Sequence, residues 1–556
     1  MGILASYQVA GRKKAIALTV TMMMVAGAFL ILAQGVSGYE EEIESDIDVE
    51  LQGSGVTRNG VRQGTYDLDE KPPEYFLKGT FSSYYSGSYY QDYVPRFGSK
   101  MVTLDINGDN YTDMAVSAPH DRYYNNDVFI FDGKTQATCP NVTVKDREAR
   151  WNINSDDYYY FGSDMDVGDV NGDGYDDLAV LNTEYGGEVF VYYGGPQWDS
   201  RSTIDHYNNY DVRIYSIYRS TMSLALADVN GDGFDDIFVG ASYSYSAGVY
   251  GWFGGSDLSG SISGYSEDIY LYGSYMASGG INGGDINGDG LEELIIGSPY
   301  RDKDVYVMIP NSNIGSFSGT AYFGSSSSYL EWHSYEPDGN GKMGFPVMIE
   351  DIDEDGFGDI LFSEPKDSNS GGHTYVIMGN SSYTSGETSM SDTGAYDLKI
   401  SSSTVTDFGQ FDVGDYNGDG KNDLAIGGPQ SGKVFIIDNS EINGTTGDID
   451  ADSVASLTIL PQDNANNFAY PGYVDYYYYR GPTVHKTICF WDRAGDGYED
   501  IFIADNEFDT DGVDKAGIVY GISPVKMMEF QGFVAPEADL PDGETIYAGL
   551  RDYTYE

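Results

Sequence analysis

A chain of 556 residues has room for several ordinary domains or one long repeat array, so length alone excludes little. Its 88 acidic and 30 basic residues leave a formal charge of -58, which argues against nucleic acid or an anionic lipid surface as partner and makes cations the natural one. The 71 glycines and 50 tyrosines, with few helical periodicities, point to strands and turns.

Residues 1–38 read as a targeting segment. Arg12, Lys13 and Lys14 precede an uncharged run from Ala15 to Ala33, long for the apolar part of a signal peptide and just long enough to span a bilayer. A cleaved signal peptide and a retained N-terminal membrane anchor both fit, and either exports the remainder. Residues 39–74 are acidic, poor in aromatics and end in Lys71-Pro72-Pro73, the composition of a solvated linker. Cys139 and Cys489 match no zinc motif and leave two buried thiols or a single bridge open. Sequons at Asn141, Asn380 and Asn443 are compatible with an exported glycoprotein.

The next 450 or so residues, from 75 to 530, are built on one repeated stretch. Its fullest form is D-V-N-G-D-G-Y-D-D, with side-chain oxygens at loop positions 1, 3, 5 and 9 (Asp169, Asn171, Asp173, Asp177) and a backbone carbonyl at position 7 (Tyr175). Calcium takes six to eight such oxygens, and Gly at position 6 makes the sharp turn that an EF-hand loop uses. Position 12 is Val180 inside an apolar run, so this loop joins strands and not helices.

Six further copies carry the same candidate ligands. The first has Asp105, Asn107, Asp109 and Asp113; the third Asp228, Asn230, Asp232, Phe234 (carbonyl) and Asp236; the fourth Asp285, Asn287, Asp289, Leu291 (carbonyl) and Glu293. The fifth has Asp351, Asp353, Asp355, Phe357 (carbonyl) and Asp359; the sixth Asp415, Asn417, Asp419, Lys421 (carbonyl) and Asp423; the seventh only Asp492, Asp496 and Asp500. Asn110 replaces the position-6 Gly in the first, a residue that accepts the left-handed conformation. Ala494 removes the position-3 ligand from the seventh, which should be the weakest of up to seven calcium sites. The starts at 105, 169, 228, 285, 351, 415 and 492 lie 57 to 77 residues apart, a spacing that a repeat architecture explains.

An apolar strand precedes each loop, often after Phe-Gly (Phe97-Gly98, Phe161-Gly162, Phe408-Gly409), and a second strand follows at once. A Gly/Pro/Ser turn, a third strand and a fourth complete the unit. The expected fold is all-β, a seven-bladed β-propeller of four-stranded antiparallel blades. Tyr75 to Phe81 occupies a fourth-strand slot before the first unit and should complete blade seven, with Val525 to Phe530 as the alternative. Residues 531–556 form an acidic tail.

The combination of F-G, D-x-N-x-D-G-x-x-D and a G-x-P-like turn, repeated seven times, resembles the FG-GAP repeats of integrin alpha-subunit propellers. That resemblance implies inner-strand loops that bind calcium and an opposite face that binds ligand. On the expected topology the opposite face gathers Tyr84, Tyr85, Tyr89, Tyr90, Tyr93, Tyr123, Tyr124, Tyr158 to Tyr160, Tyr185, Tyr243, Tyr245, Tyr300 and Tyr476 to Tyr479. Tyrosine presents a flat apolar body with a polar tip, suited to protein or glycan surfaces. The leading expectation is therefore an extracellular or cell-surface adhesion or recognition module, not an enzyme, with an unidentified protein or glycan partner. The alternatives are a calcium-dependent polysaccharide lyase or hydrolase, for which His120 is the first histidine to examine, and a structural envelope protein.

Overall fold

The computed structural model describes strands at 2–5, 18–25, 28–34, 64–67 and 75–78. Between 96 and 522 it describes all residues except 120–125, 135–141, 146–148, 156–159, 184–186, 202, 218–220, 242–247, 274–276, 278, 300–303, 311–313, 315–318, 323–328, 336–342, 367–370, 384–385, 406–408, 429–431, 462–468, 470–485, 494, 496 and 506–516. Two units divide the chain, one of residues 1–52 with 533–556 and one of 53–532. In the first, Gly2–Ala5, Leu18–Val25 and Ala28–Gln34 pair as an antiparallel sheet. Among the described residues no helix is long and apolar enough to cross a membrane.

The second unit is a seven-bladed propeller. Blade two is representative: Phe161–Gly168, Asp177–Asn182, Glu188–Tyr192 and Val212–Tyr215 pair antiparallel from the axis outward. The second strand of each blade lies between two neighbouring blades and is buried on both faces, which is why Asp177–Asn182 and Asp423–Gly428 read as apolar runs rather than alternating ones. Inner strands are clipped to their neighbours by side chains. Asp164 and Asp166 of blade two accept the backbone N–H of Leu224 and Leu226 in blade three, and Asp412 of blade six accepts that of Phe490 in blade seven. Lys100 and Lys486 balance Asp164 and Asp412 at 2.7 and 2.6 Å.

Closure follows the expected route. Tyr75–Lys78 pairs antiparallel with Ile518–Ile522 and completes blade seven from the N-terminal side, beside Ile488–Trp491 and Asp500–Asp505. The alternative segment, Val525 to Phe530, lies outside the described residues.

The blades differ from expectation in strand number. Each sheet has five strands, not four, and the outermost runs parallel to the fourth. The connection between a blade's third and fourth strands reaches back to the preceding blade and supplies it, as Thr203–Asp205 does for blade one and Gly260–Ser263 for blade two. Gly64–Asp67, inside the stretch read as linker, is the corresponding outer strand of blade six, and Val142–Lys145 that of blade seven. Each strap covers an otherwise open sheet edge. Cys489 is a buried free thiol whose pKa burial, first of all, pushes up to about 12, and Cys139 lies outside the described residues.

Candidate metal centres

Every loop between the first and second strands folds by the same local rule. The position-1 carboxylate turns inward and accepts the position-6 backbone N–H in all seven copies, from Asn110 to Asp105 (2.7 Å) through Gly174 to Asp169 (2.8 Å) to Gly497 to Asp492 (3.0 Å). In loops one, two, three, five and six the side chain at position 3 accepts the position-5 N–H, as Asn171 and Asp353 do, and in loops one to six the position-5 carboxylate accepts the position-7 N–H. Positions 4 and 6 are left-handed throughout, which glycine allows without strain. Asn110 takes this conformation at φ 64, as its residue type permits.

Position 9 begins the second strand and is buried. Asp177 accepts the N–H of Val170 at 3.0 Å and of Gly194 at 2.8 Å, and Asp359 accepts those of Ile352 and Gly379. Burial is the largest influence on these groups. It pushes Asp113, Asp177, Asp236, Glu293 and Asp423 up to about 8 and Asp359 to about 7, with the position-1, position-3 or position-5 carboxylates adding repulsion. Glu293, the longer carboxylate of the fourth copy, reaches the same place and accepts from the Asn287 amide at 2.7 Å. In blade five, one oxygen each from Asp351, Asp353 and Asp359 lies within 4.8 Å of the others. The blade-five set suits a hard divalent cation: carboxylate oxygens converge there, and a cation would relieve their repulsion.

The loops also hold one another, which the sequence reading missed. The acid at position 8 reaches the preceding loop and accepts its position-1 N–H: Asp176 from Asp105, Asp235 from Asp169, Glu292 from Asp228 and Glu499 from Asp415. The position-7 side chain covers the position-4 glycine of the same preceding loop. Tyr175 lies on Gly108, Phe234 on Gly172, Leu291 on Gly231, Phe357 on Gly288, Tyr498 on Gly418 and Tyr111 on Gly495, each so close that an added Cβ would stand 3.0 Å or less away. Where the glycine is missing, at Glu354 (φ 59), the position-7 residue of the next loop is Lys421, and Glu354 accepts the N–H of Asn422 at 3.0 Å. The seven turns form one continuous belt.

The FG-GAP repeat family matches residues 97–131 and 409–440, and the FG-GAP-like repeat family matches 169–239. The chain carries FG-GAP repeats on a seven-bladed propeller, and in this it is similar to integrin alpha subunits. Integrin alpha-PS5 of Drosophila melanogaster is 31% identical over 164 residues, covering 28% of this chain and 16% of the integrin. Phosphatidylinositol-glycan-specific phospholipase D of Bos taurus is 24% identical over 309 residues, covering 49% of this chain and 35% of the phospholipase. The chain therefore spans about a third or less of the length of these relatives. The biofilm matrix protein Bap1 of V. cholerae is 16% identical, and the match covers 57% of this chain and 42% of Bap1 at a TM-score of 0.26.

Within the FG-GAP propeller the seventh loop stands apart. Asp492 keeps the position-1 turn, while Asp496 and Ala494 lie outside the described residues. Position 2, which is Ile106, Val170, Val229, Ile286, Ile352 or Tyr416 in the other loops and buried there, is Arg493. Its Nε donates to Asp500 Oδ2 at position 9, 3.3 Å away.

Tyr160 alone of the expected tyrosine face is described, and it is buried; the other tyrosines named for that face lie outside the described residues, as does His120. His206 is buried against Phe161 and Phe190. His373 is buried between Glu364 (3.1 Å) and the Tyr375 hydroxyl (2.9 Å).

Proposed function

We propose that this propeller is an exported calcium-binding recognition module, in which calcium secures the loop belt and the opposite, tyrosine-rich face engages a protein or glycan at the cell surface or outside the cell. The observation that carries the calcium part is the convergence of position-1, position-3 and position-9 oxygens over a turn whose buried carboxylates are strained without a positive charge. Asp105, Asn107, Asp109 and Asp113 in loop one, and their counterparts through loop six, would hold the ions. The likeness to integrin alpha-PS5 supports the recognition role. A titration calorimetry experiment with calcium, followed by a glycan and surface-protein binding screen, tests both parts. Absence of calcium binding would remove the first. Tyr-to-Ser changes at Tyr84, Tyr123 and Tyr185 should weaken partner binding with the melting temperature unchanged, and equal loss of both would remove the second.

The likeness to phosphatidylinositol-glycan-specific phospholipase D favours a second reading, a calcium-dependent hydrolase on the same scaffold. Turnover of a glycan or glycolipid substrate by the purified chain, abolished by substitution of a polar residue at the propeller axis, would favour it over simple recognition.

A further inference from the structure

Loop seven departs from its six relatives at two adjacent positions. Ala494 has no side-chain oxygen to offer a cation at position 3, and Arg493 brings a cation of its own at position 2. The two changes are complementary. The residue at position 2 is aliphatic and buried in loops one to five, whereas the longer arginine sets its guanidinium Nε on the position-9 carboxylate. The arginine side chain is 14% exposed and Asp500 7%, so the pair is shielded from water. Loop one offers a contrast. Lys134 approaches Asp109 at 3.1 Å, but its side chain is 59% exposed and free to swing into solvent, and all four oxygen side chains of that loop remain.

We propose that Arg493 is the built-in cation of the seventh loop, which therefore takes no calcium, whereas the first six do. The inference rests on the calcium reading of those six. The guanidinium carries a permanent positive charge, and at position 9 it meets the requirement that an ion meets elsewhere, without the position-3 ligand. The placement has a consequence for assembly. Blade seven takes its fourth strand from the N-terminal end of the propeller sequence, since Tyr75–Lys78 joins Ile518–Ile522 there, while blade six takes only its outermost strand, Gly64–Asp67, from that end. An ion-independent clasp in that blade keeps the ring closed when calcium is withdrawn. The belt stays continuous through it: Tyr111 covers Gly495, and the Trp491 indole donates to the Thr112 carbonyl at 2.5 Å.

Calcium content after dialysis against saturating calcium in about 0.3 M salt, where exposed carboxylates alone bind weakly, measures the number of sites. The full chain should hold six ions, and the double variant Arg493→Val with Ala494→Asn, which restores the pattern of loop two, should hold seven. Seven ions in the unaltered chain, or six in the double variant, overturns the proposal while leaving the calcium reading intact. No bound calcium in either protein overturns both. Should the double variant fail to fold, Arg493→Ala decides: its melting temperature should fall by the same amount in calcium and in chelator, with Arg493→Lys recovering part of the loss. Recovery of Arg493→Ala by calcium alone would show the loop taking an ion and overturn the proposal.

Discussion

Loops two and seven close the same turn by different chemistry. In both, the position-1 carboxylate caps the position-6 N–H, at 2.8 Å for Asp169 and 3.0 Å for Asp492, so the backbone needs nothing beyond the Asp and the glycines. They diverge at the buried end. Asp177 has only backbone N–H partners among its hydrogen bonds and is pushed up to about 8 by burial, while Asp500 meets the Arg493 guanidinium at 3.3 Å. On the proposed reading, position 9 needs a positive charge, and an ion in loop two and the Arg493 guanidinium in loop seven are two ways of supplying it. On that reading loop two leaves its acceptors to an ion, whereas Asp500 of loop seven is already paired with Arg493.

Removing calcium should separate the two regions most strongly. Each occupied site adds stability by mass action, about 2.7 kcal/mol at a hundredfold excess over its dissociation constant. Chelation should lower the melting temperature by roughly 10 °C or more for a ring with several such sites. Hydrogen exchange should rise in the second strands of blades one to six before that of blade seven. Uniform loss of protection across all seven blades would erase the distinction.

A point substitution should sharpen the same contrast. Asp173→Ala in loop two should lower the melting temperature by a few degrees in calcium and by much less in chelator, because the lost group acts through the ion. Differential scanning calorimetry in the two buffers checks this, and equal losses would assign Asp173 a purely local role.

Acidity should reveal the position-9 carboxylates. Their folded-state values are raised, to about 8 for Asp113, Asp177, Asp236, Glu293 and Asp423, so the folded chain holds protons that the unfolded chain releases near pH 4. That contribution to stability is fully present below about pH 4 and is lost as pH rises toward 8. Chelated protein should thus melt at progressively lower temperature between pH 5 and 8, and calcium, displacing the protons, should flatten the trend. A chelated protein that gains stability over this interval would contradict the assignment.

Much of this was legible in the chain because the repeat is written in short, contiguous patterns. Asp169 to Asp177 specifies its own turn, and Asp423–Gly428 its own buried strand, so local chemistry repeated seven times fixed the blade count. Tyr75–Lys78 could be placed because one slot stood open. The outer straps were not legible, since Thr203–Asp205 and Gly260–Ser263 are three or four residues long, and the latter carries no buried side chain to mark it as a strand. Their pairing is with a different blade and depends on the ring existing first. The belt was hidden for the same reason: Gly108 and Tyr175, or Asp169 and Asp235, belong to successive repeats. One signal was available, the loss of glycine at Glu354 together with the loss of an apolar residue at Lys421.

The smallest effect should come from that belt. Asp235 has no place among the candidate ligands of its own loop, yet its carboxylate holds the Asp169 N–H at 2.6 Å, and Phe234 beside it covers Gly172. Asp235 thereby fixes the position-1 residue of loop two from the next blade, the way an outer partner orients a metal ligand. Asp235→Ala should weaken calcium binding at loop two by roughly tenfold while leaving loop six nearly untouched, because loop six is held by Glu499 instead. Glu499→Ala should show the converse, with loop six weakened and loop two retained. Titrations of the two variants, read against Asp173→Ala as a marker for loop two, would separate directional coupling from general destabilisation. If either variant weakened every site alike, the belt would be packing alone; if each weakens only the loop before it, ion affinity in each blade is set in part by its neighbour.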